Sequence, residues 1–261
     1  MKRLPVLLAL CLLTACSAQS EKASPVPPFD YAPDSAEATP GRQGDIAVSS
    51  LSSVSFISST SSSFSSSYPL HPTPYTLHLS VPFSPQAPLA DWDALHEESC
   101  EEMSLILVHH FLAGTDINRE QAETELLALT AWETEHGYPQ DVTVQELGKI
   151  AEEYFGYHAR VIEDPATEDL KRLLADGHPV IVPAAGRDLG NPYFSGEGPW
   201  YHMLVLTGYN EFFFQTNDVG TRRGEGYVYR FETLLNAIHD WTGVKEEIRN
   251  GPKRVLIIEK Q

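Results

Sequence analysis

The chain has 261 residues, 42% of them hydrophobic and 21% charged, enough for one large domain with a buried core and unlike the composition of a disordered protein. Eighteen basic against 36 acidic side chains leave a net charge of −18, which excludes nucleic acid as a partner and disfavours an anionic membrane surface, since both need clustered Lys and Arg. Three cysteines cannot form the disulfide framework that holds small secreted domains together.

Lys2 and Arg3 precede an apolar run from Leu4 to Leu13, too short to span a bilayer as a permanent helix, and Leu13-Thr14-Ala15-Cys16 follows. This order reads as a signal for export. The tetrapeptide resembles the lipobox of bacterial lipoproteins, and the resemblance implies cleavage before Cys16 and attachment of lipid to it. Residues 1–15 are then a lipoprotein signal peptide and the mature protein is anchored to the cell envelope through Cys16; an ordinary cut after Ala15 or Ala18 exports it equally. Removing Cys11 and acylating Cys16 leaves Cys100 as the one free thiol. Between 16 and 74 the chain is rich in Ser and Pro, with 13 serines among the 19 residues from Ser49 to Ser67, too little apolar surface to offset ordering entropy. That segment is read as a tether.

One domain is expected over 75–261, with no internal repeat. Thr76 to Phe83 alternates loosely and suits a short edge strand. Ser99-Cys100-Glu101-Glu102 matches a capping box that puts Cys100 at the first helical position, and Cys100, Met103, Leu107 and Phe111 recur at helical spacing up to a stop at Gly114. Asn118 to His136 reads as a second helix with Ala122, Leu126 and Leu129 inward. Thr143-Val144-Gln145-Glu146 caps a third, stopped by Gly156, and Thr167 to Gly177 is a fourth. Short β-prone runs follow at Val180–Val182, His202–Leu206, Phe212–Thr216, Tyr227–Tyr229 and Val255–Ile258, with a helix from Phe231 to Trp241 inserted. Helices first and antiparallel strands afterwards indicate an α+β fold.

A helix start favours a thiolate, but Glu97, Glu98, Glu101 and Glu102 crowd Cys100, so a base must activate it unless those carboxylates point away. Hairpin arithmetic selects His202: a turn centred between Tyr209 and Asn210 sets it opposite position 217, so Asn217 or Asp218 can orient the imidazole. Geometry leaves both open, and charge favours Asp218. His96, His109 and His110 do not offer zinc-ligand spacing, because adjacent helical residues diverge by about 100°. Gly186 to Gly198 can form a substrate rim, and Arg222-Arg223 is expected to pair with acidic neighbours.

Val81-Pro82-Phe83-Ser84-Pro85-Gln86, Glu98-Ser99-Cys100, Tyr201-His202-Met203 and Thr216-Asn217-Asp218 resemble the stand-alone branch of cysteine peptidase family thirty-nine, which includes the double-glycine leader peptidases of bacteriocin exporters. The resemblance implies a papain-like fold, Cys100 as nucleophile, His202 as general base and acid, Asp218 as its orienter, and Gln86 as a side-chain donor to the oxyanion hole, a contact worth roughly 3 kcal/mol. The resulting expectation is a monomeric, lipid-anchored thiol hydrolase that cleaves a peptide or protein substrate through a thioester and uses no cofactor or metal. A non-catalytic peptide- or cell-wall-binding module, and an amidase or transamidase acting on peptidoglycan or isopeptides, are the alternatives.

Overall fold

The computed structural model describes residues 76–261. The expected signal peptide, lipidation at Cys16, Ser/Pro-rich tether and domain start at Tyr75 lie outside the described residues. Five helices and seven strands follow in the order β1 (Leu77–His78), α1 (Cys100–Ala113), α2 (Arg119–His136), α3 (Val144–Phe155), β2 (His158–Glu163), α4 (Thr167–Ala175), β3 (Val180–Ala185), β4 (Tyr201–Tyr209), β5 (Phe213–Asn217), β6 (Tyr227–Arg230), α5 (Phe231–Ala237) and β7 (Arg254–Glu259). The strands form one sheet in the order β2-β7-β3-β4-β5-β6, all of it antiparallel, with β1 paired to the far end of β4.

Helices cover both faces of this sheet, which explains the near-continuous apolar runs of its central strands. Met203 and Val205 of β4 join the core formed with α1, α2 and α3, while Leu204 and Leu206 join the core on the other face, with Leu170 and Leu174 of α4 and Leu234 of α5. The same alternation divides β7, Leu256 and Ile258 to one side and Val255 and Ile257 to the other. Burial is deepest along α1, where every residue from Cys100 to Val108 is enclosed. The helix carrying the candidate nucleophile is thus embedded in the molecule, and the architecture is α+β with the papain-like arrangement of a Cys-bearing helix against an antiparallel sheet.

Local signals behave unequally. At α3, Thr143 and Glu146 form the reciprocal capping box, and Asn118 caps α2 by accepting from the Gln121 N–H at 2.9 Å. Gly114, Gly137 and Gly156 each close a helix in the left-handed region. The capping box at Ser99 does not form: a 3-10 turn at His96–Glu98 leads directly into α1, and the Ser99 hydroxyl donates instead to the Leu95 carbonyl at 2.7 Å. The edge strand shrinks to Leu77–His78, and α5 ends at Ala237 rather than Trp241. Strand β2, whose faces are half exposed, lacked an apolar signature.

The hairpin register also differs from expectation. Strand β4 runs on to Tyr209, a bulge lies between Leu206 and Gly208, and the Asn210 side chain accepts the N–H groups of Phe212 and Phe213, so the turn begins later in the chain. Asn217 therefore pairs with Val205, three positions along from His202. Asp218 reaches the histidine from just beyond the end of β5, where its N–H donates to the Gly224 carbonyl at 3.0 Å. The chain passes so closely there that a Cβ at position 224 would lie 1.7 Å from the Asp218 carbonyl oxygen. Gly224→Ala is therefore expected to destabilise the full-length protein by about 2 kcal/mol or more in urea unfolding, a cost typical of overpacking; an unchanged midpoint would contradict this close approach.

Candidate active site

Cys100 opens α1, and its sulfur meets β4 directly: the Met203 N–H donates to Sγ at 3.1 Å. The residue before Met203 is His202, so one strand supplies both a backbone donor to the sulfur and the candidate base. The two side chains line a common cleft of about 320 Å³, together with Gln86, Phe194 and Trp200.

His202 is held by a carboxylate that is itself held on every side. Its Nε2 lies 2.8 Å from Asp218 Oδ1, both side chains being buried. Oδ1 also accepts the Gly220 N–H at 3.1 Å, while Oδ2 accepts from the Asn191 amide at 2.9 Å and the Tyr229 hydroxyl at 2.5 Å. Burial alone would raise the Asp218 carboxyl, but the attraction of His202 and the hydrogen bonds from His202, Tyr229 and Asn191 outweigh it and keep the group below its usual value. The converse holds at Tyr229, where burial and the neighbouring Asp218 charge push the phenol far upward and keep it a donor. A ring edge of Phe194, 5.3 Å away between centroids, and the bare Cα of Gly220 wall the imidazole; a Cβ at 220 would sit 2.8 Å from its Cε1.

Asn217, the other candidate orienter, faces elsewhere. Its amide donates to the carbonyls of Val81 and Pro82 at 3.0 Å each, and its oxygen accepts from the Gly226 N–H. These contacts hold Asn217 away from His202, and Asp218, just past the strand, is the residue that reaches it. Asn191 and Tyr229 were not singled out from the sequence. Asn191 fell within the Gly186–Gly198 rim and Tyr229 within a short β-prone run; nothing in either pattern pointed at Asp218.

Gln86 reaches the cleft, but not as a free donor. Its Nε2 donates to the carbonyls of His96 at 2.7 Å and Glu97 at 3.0 Å, while its buried Oε1 has no partner. Turning the amide over would aim oxygen at two carbonyls, so the orientation is dictated electrostatically. The two amide hydrogens expected for an oxyanion instead tie down the 3-10 turn that precedes α1.

Of the four glutamates near the thiol, Glu101 points at it, while Glu98 pairs with Lys245. Cys100 Sγ donates to Glu101 Oε2 at 3.0 Å, and Glu101 Oε1 accepts from the Val142 N–H at 3.3 Å. Burial first, then the Glu101 charge and hydrogen bond, push the Cys100 thiol well above its ordinary value, against the opposing Met203 N–H. Glu101 itself is raised well above the usual carboxylate range, chiefly by burial and then by the Glu102 charge. Burial lifts Glu102 to about 7, and burial with the charge of Glu102 lifts Glu133 to about 10. Glu102 Oε2 and Glu133 Oε1 are buried without partners. Glu101 and Glu133 thus hold their protons at neutral pH while Glu102 is near half-ionised there, which lowers the negative charge that the sequence suggested around the sulfur.

Residues 78–247 match the Peptidase_C39 like family, about two thirds of the chain. The protein belongs to this family. Among solved structures, the C39-like chain is similar to a candidate C39-like peptidase from Bacillus anthracis, at 15% identity and a TM-score of 0.48, over 72% of this chain and 99% of that one. It is also similar to a double glycine motif protease from an AMS/PCAT transporter solved with its leader peptide, at 16% identity and a TM-score of 0.42, over 71% of this chain and 96% of that one. No curated protein matches.

The raised carboxyls set the sign of a pH effect. A carboxyl whose folded pKa exceeds its unfolded value binds more protons in the folded state, so stability is complete below about pH 4 for that group and is lost as pH rises toward the folded pKa. For Glu133 the window runs up to about 10. The melting temperature of the full chain should fall between pH 5 and pH 9, by up to about 1.4 kcal/mol of stability per pH unit per carboxyl, and Glu133→Gln should flatten the decline. A melting temperature that rises through this range would contradict the assignment.

Proposed function

We propose that this C39-like protein is an exported, lipid-anchored cysteine peptidase. The observation that carries the reading is the buried His202–Asp218 contact of 2.8 Å opening on the same cleft as Cys100. With Nε2 engaged by Asp218, Nδ1 is the nitrogen left to serve the nucleophile. His202 takes the proton from Cys100 as sulfur attacks the scissile carbonyl carbon. The tetrahedral intermediate then collapses, His202 returns the proton to the leaving amine, and a thioester remains. Water, deprotonated by His202, attacks the thioester and releases the acid and the thiol. Asp218 fixes the imidazole and favours its protonated form during both transfers. The oxyanion falls to the Cys100 backbone N–H at the head of α1, with Gln86 joining when one of its two carbonyl contacts opens. The lipobox-like Leu13-Thr14-Ala15-Cys16 supports an anchor on Cys16, which restricts substrates to those reaching the envelope.

The contact between Cys100 and Glu101 favours a second reading, a peptide-binding module with a silent thiol. It weighs less because Glu101 is held neutral: a neutral carboxylic acid can donate to a thiolate as readily as it accepts from a thiol. Incubating the full-length protein with a mixed peptide library and mapping new termini by mass distinguishes the two. The peptidase reading predicts cleavage that is absent in Cys100→Ala and reduced at least about a hundredfold in His202→Ala, the usual scale of general-base catalysis. Peptide binding without new termini would overturn it in favour of the module.

A further inference from the structure

Beside the catalytic cleft lies a second cavity of about 560 Å³, lined by Trp92 and Tyr193 as aromatic walls and by Arg222 and Arg223. Trp92, Ser195 and Gly220 line both cavities, so the two spaces adjoin. The pairing of Arg222 and Arg223 with acidic neighbours, expected from the sequence, does not occur: among the described residues no carboxylate forms an ion pair with either. Elsewhere among the described residues Arg160, Lys171, Arg172, Arg187, Lys245, Arg249 and Arg254 each have a carboxylate within ion-pair distance, while Arg119 and Lys253 donate to backbone carbonyls. Arg223 instead lies against the Tyr193 ring, its guanidinium carbon 4.9 Å from the centroid, an arrangement that orders the side chain without neutralising it.

We propose that this cavity is a substrate subsite that takes an acidic side chain, Asp or Glu, of the bound peptide. The identity of the reacting bond rests on the peptidase reading; the subsite itself does not. Arg222 and Arg223 both line the cavity, and a guanidinium offers the paired N–H donors that a carboxylate accepts in parallel. The exposed faces of Trp92 and Tyr193 can cover the apolar stem and neighbouring backbone of such a residue. Against a strongly acidic surface, the cavity is a local positive site that draws the acidic residue of a peptide into register with Cys100. The loop carrying Tyr193 and Ser195 also supplies Asn191 and Phe194, so the subsite and the Asp218–His202 pair share one support.

The test uses iodoacetyl-capped tetra-alanine amides in which a single Glu, Gln or Lys is scanned through the four positions. Labelling of Cys100 in the full-length protein is followed by peptide mass. At one position the Glu peptide should label Cys100 about tenfold faster than its Gln counterpart, the Lys peptide being slower still. In Arg222→Gln/Arg223→Gln the Glu-to-Gln ratio should fall to within about twofold, and in Arg222→Glu/Arg223→Glu the Lys peptide should become the fastest. Equal labelling by all three peptides in the wild type, or a Glu preference that survives the double Gln variant, would overturn the proposal. A charge preference that persists where the library shows no cleavage would instead overturn only the peptidase reading.

Discussion

The arrangement depends on a single junction, where the first residue of α1 meets the second and third residues of β4. The Met203 N–H reaches Cys100 Sγ at 3.1 Å, and His202 beside it reaches Asp218 at 2.8 Å. For a strand N–H to contact a helix side chain, α1 must lie against the sheet, and that requires it to be apolar nearly all round. The burial of Cys100 through Val108 is the consequence. The junction also locates the cleft at the end of β4, where β5 has ended and the 218–224 turn begins.

Burying that helix encloses its acids. Glu101 lies against the sulfur and, like Glu133 beside Glu102, holds its proton, so the site has less negative charge than the four glutamates in the sequence suggest. The cost is folded-state stability above mildly acidic pH. The same burial raises the resting thiol, so the proposed attack calls for a base, the role proposed for His202. The sulfur thus meets a carboxyl, Glu101, as well as the Met203 N–H.

Much of the scaffold was readable from periodicity and punctuation. Helices α1 to α4 and the central strands β3, β4 and β7 carry strong apolar patterns, and Gly114, Gly137 and Gly156 stop their helices as left-handed residues must. What could not be read was set by tertiary pairing. The Ser99 hydroxyl was diverted by a 3-10 turn, a later turn together with a bulge moved the partner of Asn217 by three residues, and Gln86 was captured by carbonyls that no local rule exposes. Asp218 meets His202, but through a turn held by Gly220 and Gly224 rather than through cross-strand pairing. Asn191 and Tyr229, from loop and edge strand, complete a network that sequence spacing cannot announce.

The central claim is that Cys100 and His202 act as one unit, the imidazole accepting the proton as sulfur forms a bond. The most direct measurement is the rate of iodoacetamide alkylation at Cys100 in the full-length protein, resolved by peptide mass across pH, in wild type and in His202→Ala. The account predicts alkylation at neutral pH at least about tenfold faster in the wild type, the lower end of what a positioned base contributes or less, with the difference vanishing once the thiol ionises unaided. Equal rates in both proteins, each following an ordinary thiol titration, would contradict it.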